Sequence, residues 1–103
     1  MAQYIFAYHG GKAPESPEEG AKVMQAWMSW IEKSGAAMTN PGKPAGMSKT
    51  VSSGGVADNG GANPISGYAV VNVGSMDEAL AIAKGCPILD DGGSVEVAEL
   101  MEM

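Results

Sequence analysis

The sequence predicts an α+β sandwich: an antiparallel sheet carrying two helices on one face. Three observations lead there. Two Ser-x-x-Glu helix starts, Ser16-Pro17-Glu18-Glu19 and Ser75-Met76-Asp77-Glu78, each open an apolar-periodic run. Three segments, QYIFAY, ISGYAVVNV and SVEVAEL, have the β-branched and aromatic content or the period-two alternation of strands. Their order places a strand on either side of each helix.

Gln3 to Tyr8 reads as the first strand, ended by Gly10-Gly11. Residues 12–16 form a loop. Ser16 caps the first helix, Pro17 suits its first position, and Glu19 completes a capping box. Val23, Trp27, Trp30 and Ile31 recur at helical spacing, with Met24 and Met28 widening the stripe. Gly35 closes this helix as a left-handed residue, so it spans 17–34.

Ala36 to Thr39 fits a short strand, broken by Asn40-Pro41-Gly42. Ser48 to Ser52 and Val56-Ala57 fit a small hairpin around Ser53-Gly54-Gly55. Asp58 to Pro64 is a glycine-rich loop. Ile65 to Val73 is the clearest strand and is expected centrally. The second helix runs through Ala79, Leu80, Ile82 and Ala83 to Lys84. Gly85 ends it and Pro87 prevents continuation. After a turn at 88–93, Ser94 to Leu100 alternates, with Val95 and Val97 opposite in parity to Glu96 and Ala98. Residues 101–103 are a tail.

The order β-α-β-(β)-β-α-β is that of a ferredoxin-like sandwich in a single domain over 1–103. Helices on one face leave the other sheet face bare. Packing two sheets face to face in a homodimer would cover it.

Composition excludes whole classes. The chain holds 12 acidic residues against 6 lysines and no arginine, a formal charge of −6. It offers no basic stripe for nucleic acid and no guanidinium fork for phosphate. No window reaches the ~18 apolar residues of a membrane span. Met1 to Ala7 lacks the basic region of a signal peptide. A single cysteine, Cys86, fits a reducing cytoplasm.

His9 is the sole histidine. Imidazole titrates close to neutral pH, which suits general acid or base work. The plainer alternative is a strand-end ring bonded to backbone. An orienting carboxylate is needed, and Asp90 and Asp91 are the nearest candidates. That pairing is uneasy, since the first and last strands are expected on opposite sides of the sheet centre. Tyr8, Trp27, Asn63, Ser66 and Tyr68 are the candidate ligand-binding side chains, around a pocket between the first helix, the sheet and the 58–64 loop. Tyr8, Tyr68, Trp27 and Trp30 are equally at home as packing residues. Cys86, at a helix C-terminus, reads as a structural thiol. One histidine and one distant cysteine make no metal-ligand spacing. The glycine pairs make no phosphate loop, so no cofactor is expected.

The pieces YIFAYHG, SPEE…AWMSWIEKSGA, GYAVVNVGSMDEALAIAKGCP and GGSVEVAEL cover nearly the whole chain in order. Together they resemble the YCII-related domain family, in its DGPF subgroup. The resemblance implies a dimeric α+β-barrel assembly of ferredoxin-like subunits. It also implies kinship with proteins that accompany extracytoplasmic-function sigma factors and, more widely, with a dehydrochlorinase of chlorinated aromatic diols. That relative's His–Asp acid/base pair falls on Met24 and Cys86 here, and Asp58-Asn59-Gly60-Gly61 stands at the DGPF signature. The expected function is small-molecule binding, or lyase- or isomerase-type acid/base chemistry on a small aromatic or oxygenated substrate, with His9 as proton carrier. The alternative is a non-catalytic dimeric interaction or regulatory module.

Overall fold

A computed structural model describes residues 2–11 and 14–102. Met1, Lys12 and Ala13 of the first expected loop, and Met103 of the tail lie outside the described residues. The elements are β1 (Ala2–His9), α1 (Pro17–Ser34), β2 (Thr50–Ser52), β3 (Gly55–Ala57), β4 (Ile65–Val73), α2 (Met76–Ala83) and β5 (Ser94–Glu99). Short 3₁₀ turns occupy Gly35–Ala37 and Pro87–Asp91.

Both helix starts form as their sequences dictate. Ser16 Oγ accepts the Glu19 amide at 3.1 Å, and Ser75 Oγ accepts the Glu78 amide at 3.2 Å. The glutamates reach one residue further back than a capping box requires. Glu19 Oε2 accepts the Glu15 amide at 3.4 Å, and Glu78 Oε2 accepts the Gly74 amide at 2.7 Å. Helix α1 ends at Gly35, whose φ is positive but whose ψ of −138° lies outside the left-handed helical region. Helix α2 stops at Ala83, with Lys84 as its cap.

Strand β1 lies between β4 and β5, antiparallel to both. The register sets two faces. Tyr4, Phe6 and Tyr8 share one side with Ala69, Val71, Val73, Val95 and Val97, and α1 and α2 cover it. Phe6 and Val71 are fully buried, each contributing about 1.5–3 kcal/mol of apolar burial. Phe6 stacks on Trp30, and Trp30 Nε1 donates to the Ile82 carbonyl at 3.0 Å, tying α1 to α2.

The expected strand at 36–39 is a 3₁₀ turn instead. Pairing resumes one step later, through isolated bridges Asn40–Val70 and Pro44–Gly67 along the outer edge of β4. Pro41 and Pro44 have no amide to donate, so no continuous ladder forms. Gly42, at φ 67°, sits on the Tyr68 carbonyl, where a Cβ would collide. With this 40–45 segment as a broken edge strand, the order is segment–β4–β1–β5, the ferredoxin-like arrangement.

The opposite sheet face is bare. Gln3, Ile5, Ala7 and His9 of β1 share it with Tyr68, Val70 and Asn72 of β4 and with Ser94, Glu96 and Ala98 of β5. The molecule measures 44 × 42 × 18 Å. A thickness of 18 Å is one sheet and one helix layer. The β2–β3 hairpin projects from this slab with every residue of both strands exposed.

Candidate functional site

Gly10 and Gly11 end β1 with φ of 73° and 89°, values open to glycine but strained for other residues. The turn they make opens a cleft of about 420 Å³. Its other walls are Ala45 to Ser48 at the root of the hairpin, Asp58 to Gly60, and Pro64 to Ser66.

His9 is not among the residues that line this cleft; it adjoins the wall through Gly10 and Pro64, on the bare sheet face. Its side chain is only 11% exposed. Nδ1 lies 3.2 Å from the Pro64 carbonyl, and Nε2 lies 3.0 Å from Glu96 Oε1. Both partners are acceptors, so both contacts are hydrogen bonds at once only when the ring carries two protons. Glu96 is 69% exposed. Its carboxylate, rather than the enclosed ring, is the part of the pair that meets solvent.

Glu96, not Asp90 or Asp91, is therefore the carboxylate beside His9. The unease about strand order was misplaced, because β5 is the direct neighbour of β1. His9 pairs with Ser94 and Ala7 with Glu96, which sets Glu96 diagonally across from the ring on the same face. The signal was present in the alternation SVEVAEL, which puts Glu96 on the solvated parity.

The remaining expected residues divide between the two faces. Ser66 lines the cleft, and its Oγ is buried with no partner among the described residues. Asn63 is exposed in the adjoining loop, outside the cleft wall. Tyr68 lies on the bare face, 36% exposed. Tyr8 and Trp27 lie beneath the sheet, ring to ring at 5.1 Å and edge-on. No residue of α1 is among those that line the cleft. Trp27 and Trp30 fill the space between α1 and the sheet.

Below the sheet the groups are chemically quiet. Burial pushes the Tyr8 hydroxyl well above the ordinary phenol range, with the nearby Cys86 thiol adding to it. Burial likewise raises the Cys86 thiol to about 11, partly offset by a hydrogen bond from the Ile88 amide. Met24 is exposed on α1 and Cys86 is buried; these are the two positions onto which the relative's His–Asp pair falls. Among the described residues, no group of three or more His, Cys, Asp or Glu side chains gathers to hold a metal ion. None of the described helices is long and apolar enough to cross a membrane.

The fold and site thus define a ferredoxin-like α+β domain with a histidine–carboxylate pair beside a glycine-walled cleft. A family model, the YCII-related domain, matches residues 1–103, and the chain belongs to that family. Among solved structures it resembles 5-chloro-2-hydroxyhydroquinone dehydrochlorinase (TftG) from Burkholderia phenoliruptrix AC1100, in complex with 2,5-dihydroxybenzoquinone. That likeness has a TM-score of 0.57 at 15% identity, over 100% of this chain and 96% of the other, and it shows the fold. No curated protein matches the chain.

Proposed function

We propose that this chain binds a small oxygenated, aromatic or quinone-like molecule at the cleft mouth and moves a proton to or from it, as a lyase or isomerase does. The observation that carries this reading is the 3.0 Å His9–Glu96 contact, joined to the cleft wall by the His9–Pro64 hydrogen bond. The Pro64 carbonyl fixes the ring, the ring holds Glu96 Oε1, and the exposed carboxylate meets the ligand. His9 is the proton reservoir behind it. Tyr68, part-exposed on the same sheet face as His9, carries a hydroxyl suited to orienting a ligand oxygen. The absence of arginine from the chain favours an uncharged or weakly anionic ligand. The related fold that binds 2,5-dihydroxybenzoquinone supplies the first probe.

The test is a thermal-shift titration of wild type, His9→Ala and Glu96→Gln with 2,5-dihydroxybenzoquinone and simple diphenols. Stabilisation of the wild type should shrink at least tenfold in apparent affinity in both variants. Equal stabilisation of all three proteins would remove the pair from the site. Because His9 is the only histidine, its ring resonance offers a second readout and should move when ligand is added.

The bare sheet face favours a second reading at the level of assembly. Ile5, Ala7, Val70 and Tyr68 form an apolar band with no layer above it, and a two-layer slab gains by pairing. We infer a homodimer packed sheet to sheet. In a non-catalytic version of this protein, that surface would be the working part. The unpaired, buried Cys86 suits a reducing compartment such as the cytoplasm.

A further inference from the structure

The two edges of the sheet carry opposite charge. Residues 40–60, along the β4 edge and through the hairpin, hold Lys43 and a Lys49 that is paired with Asp58 at 3.3 Å. Residues 90–102, along the β5 edge, hold Asp90, Asp91 and Glu102, the His9-paired Glu96 and Glu99 on the helix side, and no basic residue. Two sheets packed face to face can be related by a two-fold axis along the strands or across them. An axis across the strands sets like edges together. An axis along the strands sets the lysine edge of each subunit over the acidic edge of its partner, and charge selects this one.

The same axis keeps strand ends in register. The hairpin springs from the end of the sheet where Pro44 meets Gly67, the end that also carries His9 and Ser94. It would then reach the partner's β5 edge beside the partner's His9–Glu96 pair. The hairpin is made for contact with something apolar. Val51 and Val56 are cross-strand partners on one facet and are 77% and 63% exposed, and Met47 at the root is fully exposed. Its own ties, Lys49 to Asp58 at 3.3 Å and Thr50 Oγ1 to the Asn59 carbonyl at 2.7 Å, hold the arm's base to itself and leave that facet uncovered. A lone two-stranded hairpin is marginal in water.

Area points the same way. Four strand positions about 4.8 Å apart and about 26 Å long present roughly 500 Å². A standard interface takes roughly 800 Å² per partner. A crossing arm would add its exposed Val51–Val56 facet to that area.

Resting on the sheet-to-sheet reading above, we propose that the arm of residues 48–60 crosses to a second copy of this chain. There it seats the Val51–Val56 facet beside the partner's His9–Glu96 pair and roofs that site. Each cleft is then complete only in the dimer.

The test compares wild type with the Val51→Asp/Val56→Asp double variant by sedimentation equilibrium, and titrates both with 2,5-dihydroxybenzoquinone. Both valines are exposed in the subunit, so circular dichroism should be unchanged. The expected result is a wild-type dimer, a dissociation constant raised at least 100-fold in the variant, and loss of most ligand stabilisation at concentrations where the variant is monomeric. A wild-type dimer with an equally tight variant dimer overturns the arm and leaves the sheet pairing standing. A variant that dissociates yet binds the probe as wild type overturns the roof. A monomeric wild type removes both readings.

Discussion

Cys86 and Tyr8 are neighbours beneath the sheet, and each makes its own prediction. The Cys86 thiol ionises at 9.0 ordinarily and at about 11 in the folded chain, because burial disfavours the thiolate. A group whose folded value is raised contributes stability that is whole below pH 9 and is lost as pH climbs from 9 through 11. Melting temperature should therefore fall across that window. In Cys86→Ala the fall should begin later, near pH 10, where tyrosine ionisation takes over. Thermal melts at half-unit intervals from pH 8 to 11 would check this, and identical profiles would count against it. The Tyr8 hydroxyl is buried with no hydrogen-bond partner among the described residues. An unsatisfied buried hydroxyl costs about 1–3 kcal/mol. Tyr8→Phe should then leave the urea midpoint unchanged or raise it by the equivalent of about 1 kcal/mol. A marked drop would mean that the hydroxyl has a partner.

At the scale of elements, the helix starts carry the clearest local energy. Replacing Ser16 or Ser75 by alanine should cost about 1 kcal/mol each in chemical denaturation, and the costs should add because the sites are independent. The starts were legible because Ser-x-x-Glu acts through bonds within one turn. The ends of α1, at 17 and 34, were legible for the same reason, with Pro17 and Gly35 marking them. The broken edge strand was not. Its pairing at Asn40 and Pro44 depends on β4, a distant segment, and on a glycine that fits against the Tyr68 carbonyl. Nor was the division of the site. Tyr8 and His9 are consecutive in a strand, and a period of two sends them to opposite faces. Grouping them around one pocket ignored that alternation. Glu96 was within reach of the same rule, once β5 is set beside β1.

The whole molecule is an open two-layer slab, and the proposed dimer rests on its uncovered face. Sedimentation of the wild type should give twice 10.5 kDa. Ile5→Asp, which places a carboxylate in the middle of the bare face, should return the mass to that of one chain while the fold persists. High salt should loosen the dimer if the lysine and acidic edges meet. Sequence reached the layers and their order, because helix and strand periods are local. It did not reach the exposed facet of the projecting arm, because only the three-dimensional path leaves Val51 and Val56 77% and 63% exposed in the subunit.

The position of β1 has a consequence for how the slab opens. It is the one named strand bonded to a named strand on both sides, while β4 and β5 face looser or empty edges. A layer this thin has no deep interior to protect its amides by depth alone, so protection must come from neighbours in the sheet. Proton exchange into deuterated water should be slowest along Tyr4 to Tyr8, where it reports global unfolding. The edges of β4 and β5 should exchange faster through local fraying. The amides of the 50–57 hairpin should exchange within the first time points, except in whatever fraction of chains holds a partner.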